Sequence, residues 1–125
     1  TTPTQDNIKD AINQGVGSVF YMKSVTDYEW DRLFVFEPYT LRATIHETVG
    51  TNFLKANEIS STIDEAYCLL VFMNNGDVVE YFTYHRRKGD FDRLANKTDG
   101  YSPDDAVFKV VVDPGKWVRI VEAKK

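Results

Sequence analysis

The sequence predicts an α+β domain: a single antiparallel sheet of about five strands with two short helices on one face. Three observations predict it. Asn75-Gly76 and Asp113-Pro114-Gly115-Lys116 are tight-turn signals, each set between two runs rich in β-branched and aromatic residues. Two stretches in the first half carry apolar residues at helical spacing. The 125 residues, 42% of them hydrophobic, suffice for one core and leave no room for a second, so residues 1–125 are expected to form one domain.

Residues 1–5 are polar and are expected to be flexible. Asp6 is placed to cap a helix over about Asn7–Gln14, where Ile8, Ala11 and Ile12 form one apolar stripe and Gly15 stops it. Gly15 and Gly17 bracket Val16 in a turn. Val19, Phe20 and Met22 then supply apolar anchors. Trp30–Phe36 is apolar on both faces in its second half, as a covered strand should be, and Pro38 ends it.

Thr40 is the expected N-cap of a second helix, Leu41–Val49. Leu41, Ile45 and Val49 recur every four residues there, and Gly50 follows. Asn52–Asp64 is mostly polar, with Phe53, Leu54, Ile59 and Ile63 scattered through it. Ala66–Met73 and Val78–His85 form the first hairpin, and Ala106–Val112 and Trp117–Glu122 the second. Between them Arg86–Asp105 reads as a long polar connection, and loops of that length are often mobile or functional. Residues 123–125 form a solvated tail. The expected core is Ile8, Ile12, Leu33, Val35, Ile45, Val49, Leu70, Phe72, Val110 and Val112.

Composition excludes several function classes. Aromatic residues reach 14%, too bulky a set for intrinsic disorder. No apolar run approaches the roughly 20 residues of a membrane span. A net charge of -4 and a pI near 5.1 disfavour nucleic acid, which selects a basic face. A single cysteine forbids an internal disulfide and a multi-cysteine zinc site.

Catalytic signals are sparse. No Gly-x-Ser-x-Gly elbow, phosphate loop or dinucleotide fingerprint occurs. Cys68 lies inside an apolar strand and reads as a small buried hydrophobe. Nothing in the sequence forces His46 or His85 next to a nucleophile or carboxylate in space, and Asp90-Phe91-Asp92 lacks the ligand spacing of a calcium loop and reads as a solvated loop. No metal, cofactor or catalytic residue is therefore expected.

The expected binding residues fall in two places. Arg86, Arg87 and Lys88 form the one basic cluster, at the tip of a hairpin strand, with Phe91 and Tyr101 as aromatic anchors in the loop that follows. Reversal of Arg86 and Arg87 to Glu is expected to weaken partner binding and leave thermal stability nearly unchanged. The second place is the corner around Trp30, Asp31 and Tyr39. Tyr39 is expected to pack back on the fold, and Asp31 to meet a backbone donor or pair with Arg32 or Arg42.

That corner carries a resemblance. Trp30-Asp31, the short apolar strand Leu33–Phe36, Pro38-Tyr39 and the helix ending at Gly50 resemble a group of small, poorly characterised bacterial lipoproteins. The resemblance covers about twenty residues firmly and the hairpins loosely. It implies an exported protein tethered through a lipidated cysteine before Thr1, and it carries no catalytic residue. The polar start at Thr1, without methionine, suits a mature exported protein and a trimmed cytosolic one equally.

The first functional expectation is a non-enzymatic, extracytoplasmic binding domain whose partner is an envelope or secreted protein, with inhibitor or immunity roles included. Two alternatives stand beside it. One is a small hydrolase acting on a phosphate ester through His85 with Asp90 or Asp92 near Arg86 and Arg87. The other is a cytosolic adaptor domain.

Overall fold

The computed structural model describes residues 2–50 and 65–123; the scattered anchors of Asn52–Asp64 lie outside the described residues. The elements in chain order are α1 (Pro3–Ile12), β1 (Val19–Tyr21), α2 (Met22–Val25), β2 (Arg32–Phe36), α3 (Arg42–Val49), β3 (Tyr67–Asn74), β4 (Asp77–His85), β5 (Val107–Val112) and β6 (Val118–Glu122). Two short 3-10 turns, Arg86–Lys88 and Asp92–Asn96, lie between β4 and β5.

The fold is α+β with antiparallel sheets, but the single five-stranded sheet is not what forms. There are two three-stranded antiparallel sheets, in the orders β1-β5-β6 and β2-β3-β4. The two hairpins thus lie in separate sheets. Val19–Tyr21, expected only as scattered anchors, forms a three-residue strand that pairs with β5, Phe20 opposite Phe108. Turn chemistry pairs each strand with its sequence neighbour, but it carries no information on which hairpins share a sheet.

The helices also divide. Along β3, Cys68, Leu70 and Phe72 face a large core shared with Ile8 and Ile12 of α1 and with Phe20, Phe108, Val110 and Ile120 of the other sheet. The alternate residues Leu69, Val71 and Met73 face Ile45 and Val49 of α3. The β2-β3-β4 sheet is therefore covered on both faces, which explains the unbroken apolar run of β3. The two helices sit on its opposite faces, not on one.

Helix starts differ from the expectation for capping reasons. Thr2, not Asp6, caps α1. Its hydroxyl accepts from the Gln5 N–H, the Gln5 side chain accepts from the Thr2 N–H, and Pro3 takes the first helical position. Residues 2–5 thus belong to the cap and first turn of α1. At α3 the N-cap position is Leu41, with no side-chain capping bond, because Thr40 instead donates its hydroxyl to the Glu37 carbonyl. Of the expected core only Val112 fails: it ends β5 and is 40% exposed.

The connection Arg86–Asp105 is not a mobile polar loop. Gly89, Asp90, Phe91, Leu94, Gly100 and Tyr101 are buried along it. Its backbone is stitched to both sheets. Asp90 N–H donates to the Val118 carbonyl at 3.0 Å, and the Asp90 carbonyl accepts from Ile120 N–H at 2.9 Å, adding one residue beside β6. Tyr101 and Leu33 exchange two hydrogen bonds of 2.8 Å at β2. Gly100 permits that approach. It has φ +76°, and a Cβ there would lie 2.7 Å from the Leu33 carbonyl oxygen.

Candidate functional site

The charged residues after β4 form a network centred on Asp90, whose side chain has no exposed surface. Arg86 Nε donates to Asp90 Oδ2 at 2.9 Å, with Nη2 2.8 Å from the same oxygen. Trp117 Nε1 donates to it at 2.8 Å, and Arg119 Nη1 stands 3.4 Å away. Asp90 Oδ1 accepts from the Asp92 N–H at 3.1 Å and faces the Cys68 thiol at 3.7 Å. Buried charge is tolerable only when paired and hydrogen-bonded in this way.

Asp92 closes the ring. Its carboxylate lies 2.7 Å from Arg119 Nη1 and 3.7 Å from Arg86 Nη2. Asp113 receives Arg119 Nε at 3.2 Å on one oxygen, while the other accepts from the Gly115 and Trp117 N–H groups. The Trp117 N–H foremost, and then Arg119 and the Gly115 N–H, hold the Asp113 carboxyl below its ordinary range despite some desolvation. Burial pulls the Arg119 guanidinium down, but Asp92, Asp113 and Asp90 outweigh it and hold its pKa above the usual value.

This network uses up the groups that sequence reasoning offered to chemistry. Burial, and then the Asp90 charge, push the Cys68 thiol up to about 12, so it stays protonated and a poor nucleophile. His85 Nδ1 accepts the Arg87 N–H at 3.1 Å as the cap of the Arg86–Lys88 turn, and its ring meets Tyr67 edge to face. Among the described residues no three His, Cys, Asp or Glu side chains converge as metal ligands.

The basic cluster splits. Arg86 is consumed by Asp90, Asp92 and the Glu65 carbonyl. Arg87 and Lys88 are exposed and form no ion pair among the described residues. The expected aromatic anchors are corrected: Phe91 is fully buried against Tyr84, and Tyr101 is buried against Phe108. Their flanking residues are polar, yet the rings are needed to fill the space between the two sheets.

The Trp30 corner is structural in two of its three residues. Trp30 is buried edge-on against Phe72, and its Nε1 donates to Thr26 Oγ1 at 2.9 Å. Asp31 accepts the Asn75 N–H at 3.0 Å, tying the β3–β4 turn to the start of β2. Tyr39 does not pack back. It takes φ +64° in the turn after Pro38 and projects into solvent.

Beside Arg87 and Lys88 lies an open groove of about 390 Å³. Ile12, Val110 and Val118 form its floor, and Lys9 joins the two exposed cations on its rim. Val16, 68% exposed, forms its lip. Sequence reasoning missed Lys9, Val16 and Val118 as groove residues, and Trp117 and Arg119 as network members. A usable signal was present only for Lys9, which precedes Ile12 by one helical turn.

Comparisons with protein-family models, with curated proteins and with solved structures return no match. Among the described residues no helix is long and apolar enough to cross a membrane.

Proposed function

We propose that this chain is a non-enzymatic binding domain of the bacterial lipoprotein kind, acting outside the cytoplasm on an envelope or secreted protein. An inhibitor or immunity role falls within this reading. One observation carries it: the potentially reactive groups Cys68, His85, Asp90 and Asp92 are engaged in holding the fold, while Arg87 and Lys88 are exposed beside an open groove with an apolar floor and form no ion pair among the described residues. Cations next to accessible apolar surface suit recognition of a partner more than turnover of a substrate.

The test is affinity capture from a native envelope fraction, with the chain and its Arg87→Glu/Lys88→Glu variant as paired baits. A protein retained by the first and lost by the second, at equal melting temperature, supports the proposal. Equal retention by both, or no retained protein, contradicts it. Location is tested on the gene: a signal peptide with a lipid-attachment cysteine upstream of Thr1 is the expected finding.

A further inference from the structure

We infer that the groove between α1, the Gly15–Gly17 turn, the Arg86–Lys88 turn and the β5–β6 hairpin takes an aliphatic side chain from a partner segment flanked by carboxylates. This rests on the proposed function above and names the chemistry of the partner. Volume sets the occupant's scale. About 390 Å³ is near the lower end for a ligand site, so it suits one or two side chains. The deepest lining residues, Ile12 and Val110, are apolar, and the one neutral polar side chain of the lining, Asn13, is solvent-exposed, so the depth of the groove selects an apolar anchor.

The rim selects charge. Lys9, Arg87 and Lys88 surround the floor, and no described carboxylate pairs with them. The molecule is acidic as a whole, at -4. At physiological ionic strength the Debye length is ~8 Å, so a segment seated in the groove feels these three cations more than the net charge. An anionic membrane surface fits less well. A lipid plane cannot follow a concave floor, and the acidic remainder of the protein faces it unfavourably.

The groove is held in shape before binding. Gly15 and Gly17 take φ +112° and +91°, and the turn is fastened to β5 by Gly17 N–H to the Val110 carbonyl at 2.8 Å and Val110 N–H to the Ser18 carbonyl at 2.9 Å. Arg86, locked to Asp90, fixes the turn that presents Arg87 and Lys88. A fixed lip and a fixed rim reduce the ordering cost of association.

The experiment follows ¹⁵N–¹H amide shifts during titration with a blocked octapeptide, two central leucines flanked by three glutamates on each side. Saturable shifts centred on Lys9, Val16, Arg87, Lys88 and Val118 are expected. Affinity is expected to fall at least tenfold with Arg87→Glu/Lys88→Glu, with Val16→Asp, with glutamine replacing glutamate and with glycine replacing leucine. Melting curves of both variants should match the parent.

Shifts centred elsewhere overturn the inference, as does equal affinity for the glutamine peptide. So does binding to phosphatidylglycerol vesicles in place of the peptide. If the peptide fails while the captured envelope protein still depends on Arg87 and Lys88, the groove chemistry falls and the proposed function stands. If that dependence is also absent, both fall.

Discussion

Asp90 accepts hydrogen bonds from Arg86, Trp117 and the Asp92 backbone while its side chain is sealed from solvent. Removing a buried carboxylate leaves its cations facing a dry void, and such losses cost about 3–5 kcal/mol. Asp90→Ala is expected to lower stability by that amount, read as a drop in urea midpoint at unchanged slope. In the sequence Asp90 was indistinguishable from a solvated loop residue, because Trp117 and Arg119 reach it from a distant hairpin. Glu80 behaves in the opposite sense. Burial, and then Asp27, raise its carboxyl pKa, against a lowering hydrogen bond to Tyr28. A raised folded-state pKa contributes stability at low pH that is lost as pH rises through it. Glu80→Gln is therefore expected to stabilise the fold at pH 7, by less than about 1 kcal/mol because Glu80 is only half-buried and solvent screens it. That advantage should vanish by about pH 4, near the ordinary carboxyl range.

Strand cores and helix stripes were legible because they depend on neighbours in sequence: Leu33–Phe36, the β3–β4 turn and Ile45 with Val49 all stand where periodicity and turn chemistry put them. The three-residue β1 was not legible, since its pairing partner is β5, far along the chain. Nor was the order within Arg86–Asp105. Its polar residues dominate the pattern, while Phe91, Leu94 and Tyr101 carry the packing. Gly100 tests that account of the segment. Gly100→Ala places a Cβ against the Leu33 carbonyl and the Phe34 ring at a positive φ, and should cost more than about 1 kcal/mol. Amide exchange at Leu33 and Tyr101 should accelerate ahead of exchange in β3. Unchanged protection at both amides would show that the bridge does not hold the segment.

Across the whole molecule, two sheets share one core and the Asp90 network joins the Arg86 turn to β6. This divides the three neighbouring cations between two tasks. Arg86 belongs to the fold, so the expected indifference of stability to its reversal is corrected; Arg87 and Lys88 remain at the groove. The most direct test compares thermal melts of Arg86→Glu and of Arg87→Glu/Lys88→Glu, with capture of the envelope partner measured on the folded variant. We predict a large fall in melting temperature for Arg86→Glu. The double variant should melt with the parent and lose its partner. Parent-like melting of Arg86→Glu, or a double variant that melts early or keeps its partner, would contradict the account.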